Sequence, residues 1–237
     1  MRKKVIIIIV EGPSDLTILE ELLYENFNSF HLHIEIIYGD LFADKTLDKG
    51  IKATLGDKIR EVQSRTKFLI DDILAVIQIL DTDGCYINED LVTLNSMNPE
   101  GVLYKPTHIE VNPQPKVQQI CDRNSLKKQR LNTMNSVTHI MGNAIPYQIF
   151  YFSCNLEHVL YDEMNTPKSE KTTKANNFVN DNPDSEDIIK LLKQFMAPCD
   201  SDSYVSKYKE SWLFIQEGVN SLNRFTNVLL VFEYISQ

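Results

Sequence analysis

Short, nearly unbroken apolar runs alternate along this chain with stretches where apolar residues return every third or fourth position. The first run, Val5-Ile6-Ile7-Ile8-Ile9-Val10, is β-branched throughout and predicts a buried strand from about Lys4 to Val10. Gly12 and Pro13 break it, Ser14 or Asp15 can cap a helix, and Leu16, Leu19, Leu22 and Leu23 then recur at helical spacing. A second strand is predicted from Leu32 to Tyr38, ending at Gly39-Asp40. A loop holding Gly50 and Gly56 leads to a helix from about Asp57 to Phe68, and the third strand runs from Ile73 to Leu80. This β-α-β-α-β order predicts an α/β fold, a mostly parallel sheet with helices on both faces.

The pattern then loosens. Between residues 85 and 135, Pro99, Pro106, Pro113, Pro115 and many asparagines predict loops around short strands such as Thr107 to Val111. Helices are expected from about Pro115 to Gln119 and from Ser125 to Met134. A fourth strand, Tyr147 to Phe152, ends at Ser153-Cys154-Asn155 and leads into a helix from Leu156 to Glu163. Asn165 to Asp184 is polar and without clear period, and reads as a mobile connection. Helices are expected again at Ser185 to Met196, Ser203 to Gly218 and Leu222 to Ile235, although the run Val228 to Tyr234 also suits a strand. The organisation expected is an α/β domain over 1–164, with a loop-rich insertion at about 85–145, and a mainly helical region over 185–237.

Composition narrows the classes. A hydrophobic share of 43% and a charged share of 24% are those of a globular protein. Met1-Arg2-Lys3-Lys4 and the apolar run after it superficially resemble a secretory leader, but the run meets Glu11 with no small-residue cleavage site. No stretch approaches the ~18 apolar residues of a membrane span. The four cysteines, Cys85, Cys121, Cys154 and Cys199, are scattered without a CxxC pair, which fits a reducing compartment and a cytoplasmic location. A net charge of -9 excludes indiscriminate nucleic-acid binding. The positive charge is nevertheless clustered: Lys45, Lys49, Lys52, Lys58, Arg60, Arg65 and Lys67 form one group, and Lys116, Arg123, Lys127, Lys128 and Arg130 another. Beside an acidic centre, such a face suits phosphodiesters; a solvated helix face has the same composition.

The acidic centre comes from two motifs at predicted strand ends, Val10-Glu11-Gly12-Pro13-Ser14-Asp15 and Asp81-Thr82-Asp83-Gly84. If both strands lie parallel in one sheet, Glu11, Asp81 and Asp83 converge at its carboxyl edge. Carboxylates gathered there repel one another unless a cation lies between them, and oxygen ligands suit Mg²⁺ or Mn²⁺. Such ions activate water and stabilise charge on a scissile phosphate, with Glu11 available for proton transfer.

Those two motifs, in that order, resemble the signature of the TOPRIM domain, a Rossmann-like catalytic module found in topoisomerases, bacterial primases, small RNA-maturing ribonucleases and OLD-type nucleases. The resemblance covers roughly residues 1–155. It implies that Glu11 is the acid/base glutamate and that Asp81 and Asp83, with Glu11, bind Mg²⁺. The chain is too short for a topoisomerase clamp and lacks the further segments of a primase. Cys85-Tyr86-Ile87 after the second motif departs from the small ribonucleases. The segment Ser153-Cys154-Asn155-Leu156-Glu157-His158 resembles one in standalone TOPRIM proteins of phage defence, such as RloB-like proteins and the PARIS effector, and by that similarity Glu157 is a further catalytic acid. The resemblance implies a toxin-like nuclease of antiviral defence or abortive infection, cleaving RNA such as tRNA, or DNA. It also implies an ABC-type ATPase partner; a homo-oligomer without membrane association is expected beside it.

Substrate phosphates would be met by Lys45, Lys49, Lys127, Lys128 and Arg130, with Tyr104 and Lys105 nearby. Asp40 and Asp44 lie near the same sheet edge, Asp15 reads as a helix cap, and Glu89 and Asp90 as loop residues. Trp212 and Phe214 read as core. Two other readings stand beside the nuclease. One is a catalytically silent TOPRIM module held by a partner ATPase. The other is a receiver-like or phosphatase domain, which would need a lysine after a late strand where Ser153 to Leu156 stand instead.

Overall fold

The computed structural model of the chain describes residues 4–27, 30–36, 40–98 and 101–237. Its centre is a five-stranded sheet in the order β2-β1-β3-β8-β7. Here β1 is Val5–Val10, β2 is His31–Ile36, β3 is Ile73–Asp81, β7 is His139–Ile140 and β8 is Ile145–Phe152. The first four neighbours are parallel and only the short edge strand β7 runs antiparallel. All six residues of β1 are buried, so both faces of the sheet are covered, the condition under which a strand can be apolar without alternation. The chain is therefore α/β with a mostly parallel sheet, as its apolar runs predicted.

The helix α1 (Pro13–Asn26) comes directly after β1, with Ile18, Leu19, Leu22 and Leu23 buried. α2 spans Ile51–Thr66, starting well before the expected Asp57, and Gly56 lies inside it rather than in a loop. Ile51, Leu55, Ile59 and Val62 form one buried face, and that burial outweighs the ~1 kcal/mol a helical glycine costs. The end of the second strand expected at Tyr38 and Gly39, and the loop residue Pro99, lie outside the described residues.

After β3 the chain builds a small second sheet, β4 (Val92–Leu94), β5 (Val102–Tyr104) and β6 (Ile109–Val111), in the order β4-β6-β5. Ile87, Val92, Ile109, Val111, Ile120, Cys121 and Leu222 form its own core. The two short helices expected next are one helix, α3 (Pro115–Asn135). α4 (Leu156–Tyr161) stops short of Glu163 because Asp162 turns left-handed at φ 64.

Two further segments differ from expectation. Residues 165–184 are not an irregular connection: Lys168–Asp181 forms α5, which packs on α1. Ala175, Phe178 and Val179, at helical spacing, face the core and the Phe178 ring stands 5.2 Å from that of Tyr161. After α6 (Ser185–Gln194) and α7 (Tyr204–Ile215), residues 223–229 form neither the long helix nor the strand expected. Thr226 bridges to Phe152 and Met196, Asn227 accepts from the Tyr151 amide at 2.8 Å, and only Leu230–Ile235 is helical, as α8. This segment and the turn before it buttress the site end of the sheet: the Phe225 carbonyl accepts from the Ser153 amide at 2.8 Å, and the Ser221 carbonyl accepts from Thr82 Oγ1 at 3.2 Å and from the Cys154 amide at 2.9 Å. Trp212 and Tyr208 join the main core, and Phe214 stacks edge-on against Phe225. Among the described residues, no helix is long and apolar enough to cross a membrane.

Candidate functional site

Parallel pairing of β1 with β3, Ile9 opposite Gln78, brings Glu11 and Asp81 to adjacent strand ends. Asp81 Oδ1 accepts from the Leu156 amide at 3.0 Å, which draws the start of α4, and with it Glu157, to the same edge. Asp83 is fixed from three sides. It adopts φ 49, tolerable for aspartate; its amide donates to the Cys154 carbonyl at 2.8 Å, and its own carbonyl accepts from Arg123 at 3.0 Å. Its carboxylate is ion-paired with Lys127. Asp15 accepts from the Gly12 amide at 2.9 Å, so the residue read as a cap is one, and it also faces Glu157 and Asp81 electrostatically.

The expected acids Glu11, Asp81, Asp83 and Glu157 are thus brought together, joined by Asp15 and Asp40. Among the described residues, these six carboxylates share the region with three cations: Lys127, Lys171 and Arg123. The imbalance shows in proton affinities. Burial drives the Glu11 carboxyl well above its usual range, partly offset by Lys127 and reinforced by Asp40, Asp83 and Asp15. Asp81 is raised by burial, then by Glu11 and Asp15. Burial and Glu157 lift Asp15 to about 6. Asp83 is the exception: burial pushes it up, but Lys127 and Arg123 together hold it down at about 2.

Lys127 is the residue whose role differs most from expectation. Its side chain is 0% exposed, 2.7 Å from Asp40 and paired with Asp83, so it binds protein carboxylates and presents no charge to a substrate. Arg130 is similarly engaged, donating to the carbonyls of Leu41, Phe42 and Asp44 at 3.2, 3.1 and 2.7 Å. The remaining expected phosphate contacts are at the surface: Lys45 pairs with Asp122 at 3.5 Å, Lys49 with Asp57 at 2.7 Å, and Lys128 is exposed beside Glu89 and Asn88. Asp44 does not join the acids; its carboxylate caps the turn at Thr46.

Lys171 enters the site without any signal in the sequence pattern. It donates to Glu157 Oε2 at 2.9 Å from α5, and although burial disfavours its charge, Asp81, Glu157 and Asp15 keep it protonated. It borders an open cleft of about 560 Å³ lined also by Asp81, Asp83, Tyr104, Asn155 and Lys168. His158, beside Glu157, is held neutral by burial, at about 4.

Among the described residues, no three His, Cys, Asp or Glu side chains stand at metal-ligand spacing. The donor chemistry nonetheless fits a hard divalent cation: all donors are carboxylate oxygens, and Glu11 Oε1 and Glu157 Oε1 are buried without a hydrogen-bond partner. Glu11 and Asp81, which among the described residues make no ion pair within 4.0 Å, are the residues able to hold one. Compared with known proteins, the chain matches no family model, no curated protein and no solved structure.

Proposed function

We propose that this chain is a Mg²⁺- or Mn²⁺-dependent nuclease of the TOPRIM type, hydrolysing phosphodiesters in RNA of the tRNA kind or in DNA. The observation that carries the reading is the meeting of Glu11 and Asp81 at adjacent parallel strand ends, Asp81 on the wall of an open cleft, with raised proton affinities and a buried Glu11 carboxylate oxygen that has no partner. When bound, a divalent cation there would supply Lewis acidity toward the phosphate and an attacking water. Glu11, at the end of β1, would take a proton from the attacking water or return one to the leaving oxygen. Asp83 and Arg123 keep the loop after β3 rigid. Lys171 and Lys168, on the cleft wall, face the nucleic-acid backbone. Lys45 and Lys49, whose exposed ion pairs are weak, can exchange their partners for phosphates. The biological setting would be phage defence, with an ABC-type ATPase restraining the enzyme.

One observation favours a second reading, a silent module: Asp83 is already neutralised by Lys127. Purified protein incubated with Mg²⁺ or Mn²⁺ against tRNA, single-stranded DNA and duplex DNA separates the two. Metal-dependent cleavage that Glu11→Gln and Asp81→Asn abolish supports the nuclease; absence of cleavage on every substrate supports the silent module.

A further inference from the structure

Two-metal phosphodiesterases hold their ions ~3.5–4 Å apart, and the acids between them must have oxygens free for both. Asp83 lacks that freedom at one of its two oxygens, Oδ2. Its backbone is pinned at both the amide and the carbonyl, and its carboxylate is held by an ammonium that is itself 0% exposed. That ammonium belongs to α3, which is clamped along one face. Arg123, Lys127 and Arg130 stand at i, i+4 and i+7. Arg123 grips the Asp83 carbonyl and the Tyr104 hydroxyl, the latter at 2.8 Å, while Arg130 grips three carbonyls of the 41–44 loop. Lys127 thus sits in a helix docked on both sides, and swinging its side chain away would strand Asp40 and Asp83 without their shared cation. On the other side of the cluster, Glu11 Oε1 is buried and unpartnered, and Asp81 touches no lysine nitrogen within ion-pair distance among the described residues.

We propose that Lys127 is a built-in counter-cation occupying the place of a second metal ion, so that the site takes one divalent cation, at Glu11 and Asp81, and Asp83 does not ligate it. The proposal rests on the reading of this edge as a divalent-cation site and deepens it, from metal-dependent to single-metal. Arg123 and Lys127 then act as positioning residues, fixing the loop after β3 while the cation works beside it.

Mn²⁺ titration of the full chain, monitored by calorimetry and by the electron paramagnetic resonance of free Mn²⁺, tests this without any substrate. The expected result is one Mn²⁺ per chain for the wild type, lost in Glu11→Gln, and two per chain for Lys127→Met, where Asp83 and Asp40 are freed. Because Lys127→Met strands two acids, the double variant Lys127→Met/Asp40→Asn is measured beside it, with folding checked by circular dichroism. It is expected to regain a second, weaker site at Asp83. Two ions bound by the wild type would overturn the proposal and leave the metal-dependent reading intact. A single ion bound by both folded Lys127 variants would do the same. No ion bound by any of the proteins would overturn the metal-dependent reading, and the proposal with it.

Discussion

Removing the Lys127 charge should be among the most damaging single changes available to this fold. Lys127→Met keeps the aliphatic stem, so little cavity opens and the loss is mainly electrostatic. Breaking a buried ion pair by deleting one partner costs ~3–5 kcal/mol. Two features place this case near the lower bound. Asp40 keeps hydrogen bonds from the Phe42 and Ala43 amides at 2.9 and 3.1 Å, and Asp83 keeps Arg123 close by. A loss of ~3 kcal/mol corresponds to a fall in Tm of roughly 6–12 °C for a chain of this size. The loss also has a pH signature. Asp83 is held at about 2 against an ordinary 3.8, so its contribution is complete above pH 3.8 and disappears as pH falls through 2. In Lys127→Met that depression is largely gone, so the Tm gap to wild type should be widest at neutral pH and narrow on acidification below about pH 4. Thermal unfolding by circular dichroism, in chelator and across this range, measures it. A Tm within ~2 °C of wild type at neutral pH, or a gap that widens on acidification, would refute the role assigned to Lys127.

Other consequences are simpler to check. Mn²⁺ affinity should weaken as pH falls, because Glu11 and Asp81, which burial makes hold their protons more tightly than ordinary carboxylates, must release them to bind the ion. Calorimetry in buffers of different ionisation heat should register proton release on binding, and a pH-independent affinity would contradict the assigned ligands. Native protein should show one rapidly reacting thiol, Cys199, and four after denaturation. Cys85, Cys121 and Cys154 are buried, and burial raises the Cys85 thiol to about 12. Gly84→Ala should destabilise by ~2 kcal/mol or more, since φ is +64 and a Cβ there would run into the Leu222 side chain. A neutral effect on chemical denaturation would mean the turn after Asp83 is not built as described.

The site's acids are legible in the sequence because they end apolar runs that can only be buried strands. Val5 to Val10 and Ile73 to Leu80 identify themselves without tertiary information, and the residues just beyond them fall on one edge once the strands pair in parallel. The lysines are not legible in the same way. Lys127 belongs to a basic cluster by composition, yet nothing in its neighbours along the chain says that α3 turns Arg123, Lys127 and Arg130 inward, onto the loops after β3 and β2. Charge counts do not reveal which cations are spent on the protein itself. Lys171 is hidden by its surroundings: α5 carries so few apolar residues that its helical period rests on Ala175, Phe178 and Val179 alone. The segment 223–229 misleads for the opposite reason. Its aromatic and β-branched residues satisfy either regular structure, and the Thr226 hydroxyl donating to the Tyr151 carbonyl, with the Asn227 side chain accepting from the Tyr151 amide, holds it in neither.

The most direct test of the central claim compares wild type with Asp81→Asn on end-labelled tRNA and on single-stranded and duplex DNA, with Mn²⁺ present or chelated, both proteins shown to be folded. The expected result is cleavage by the wild type in Mn²⁺ only, reduced by at least about a hundredfold in Asp81→Asn. Equal cleavage by the two proteins, or cleavage that persists in chelator, would contradict it.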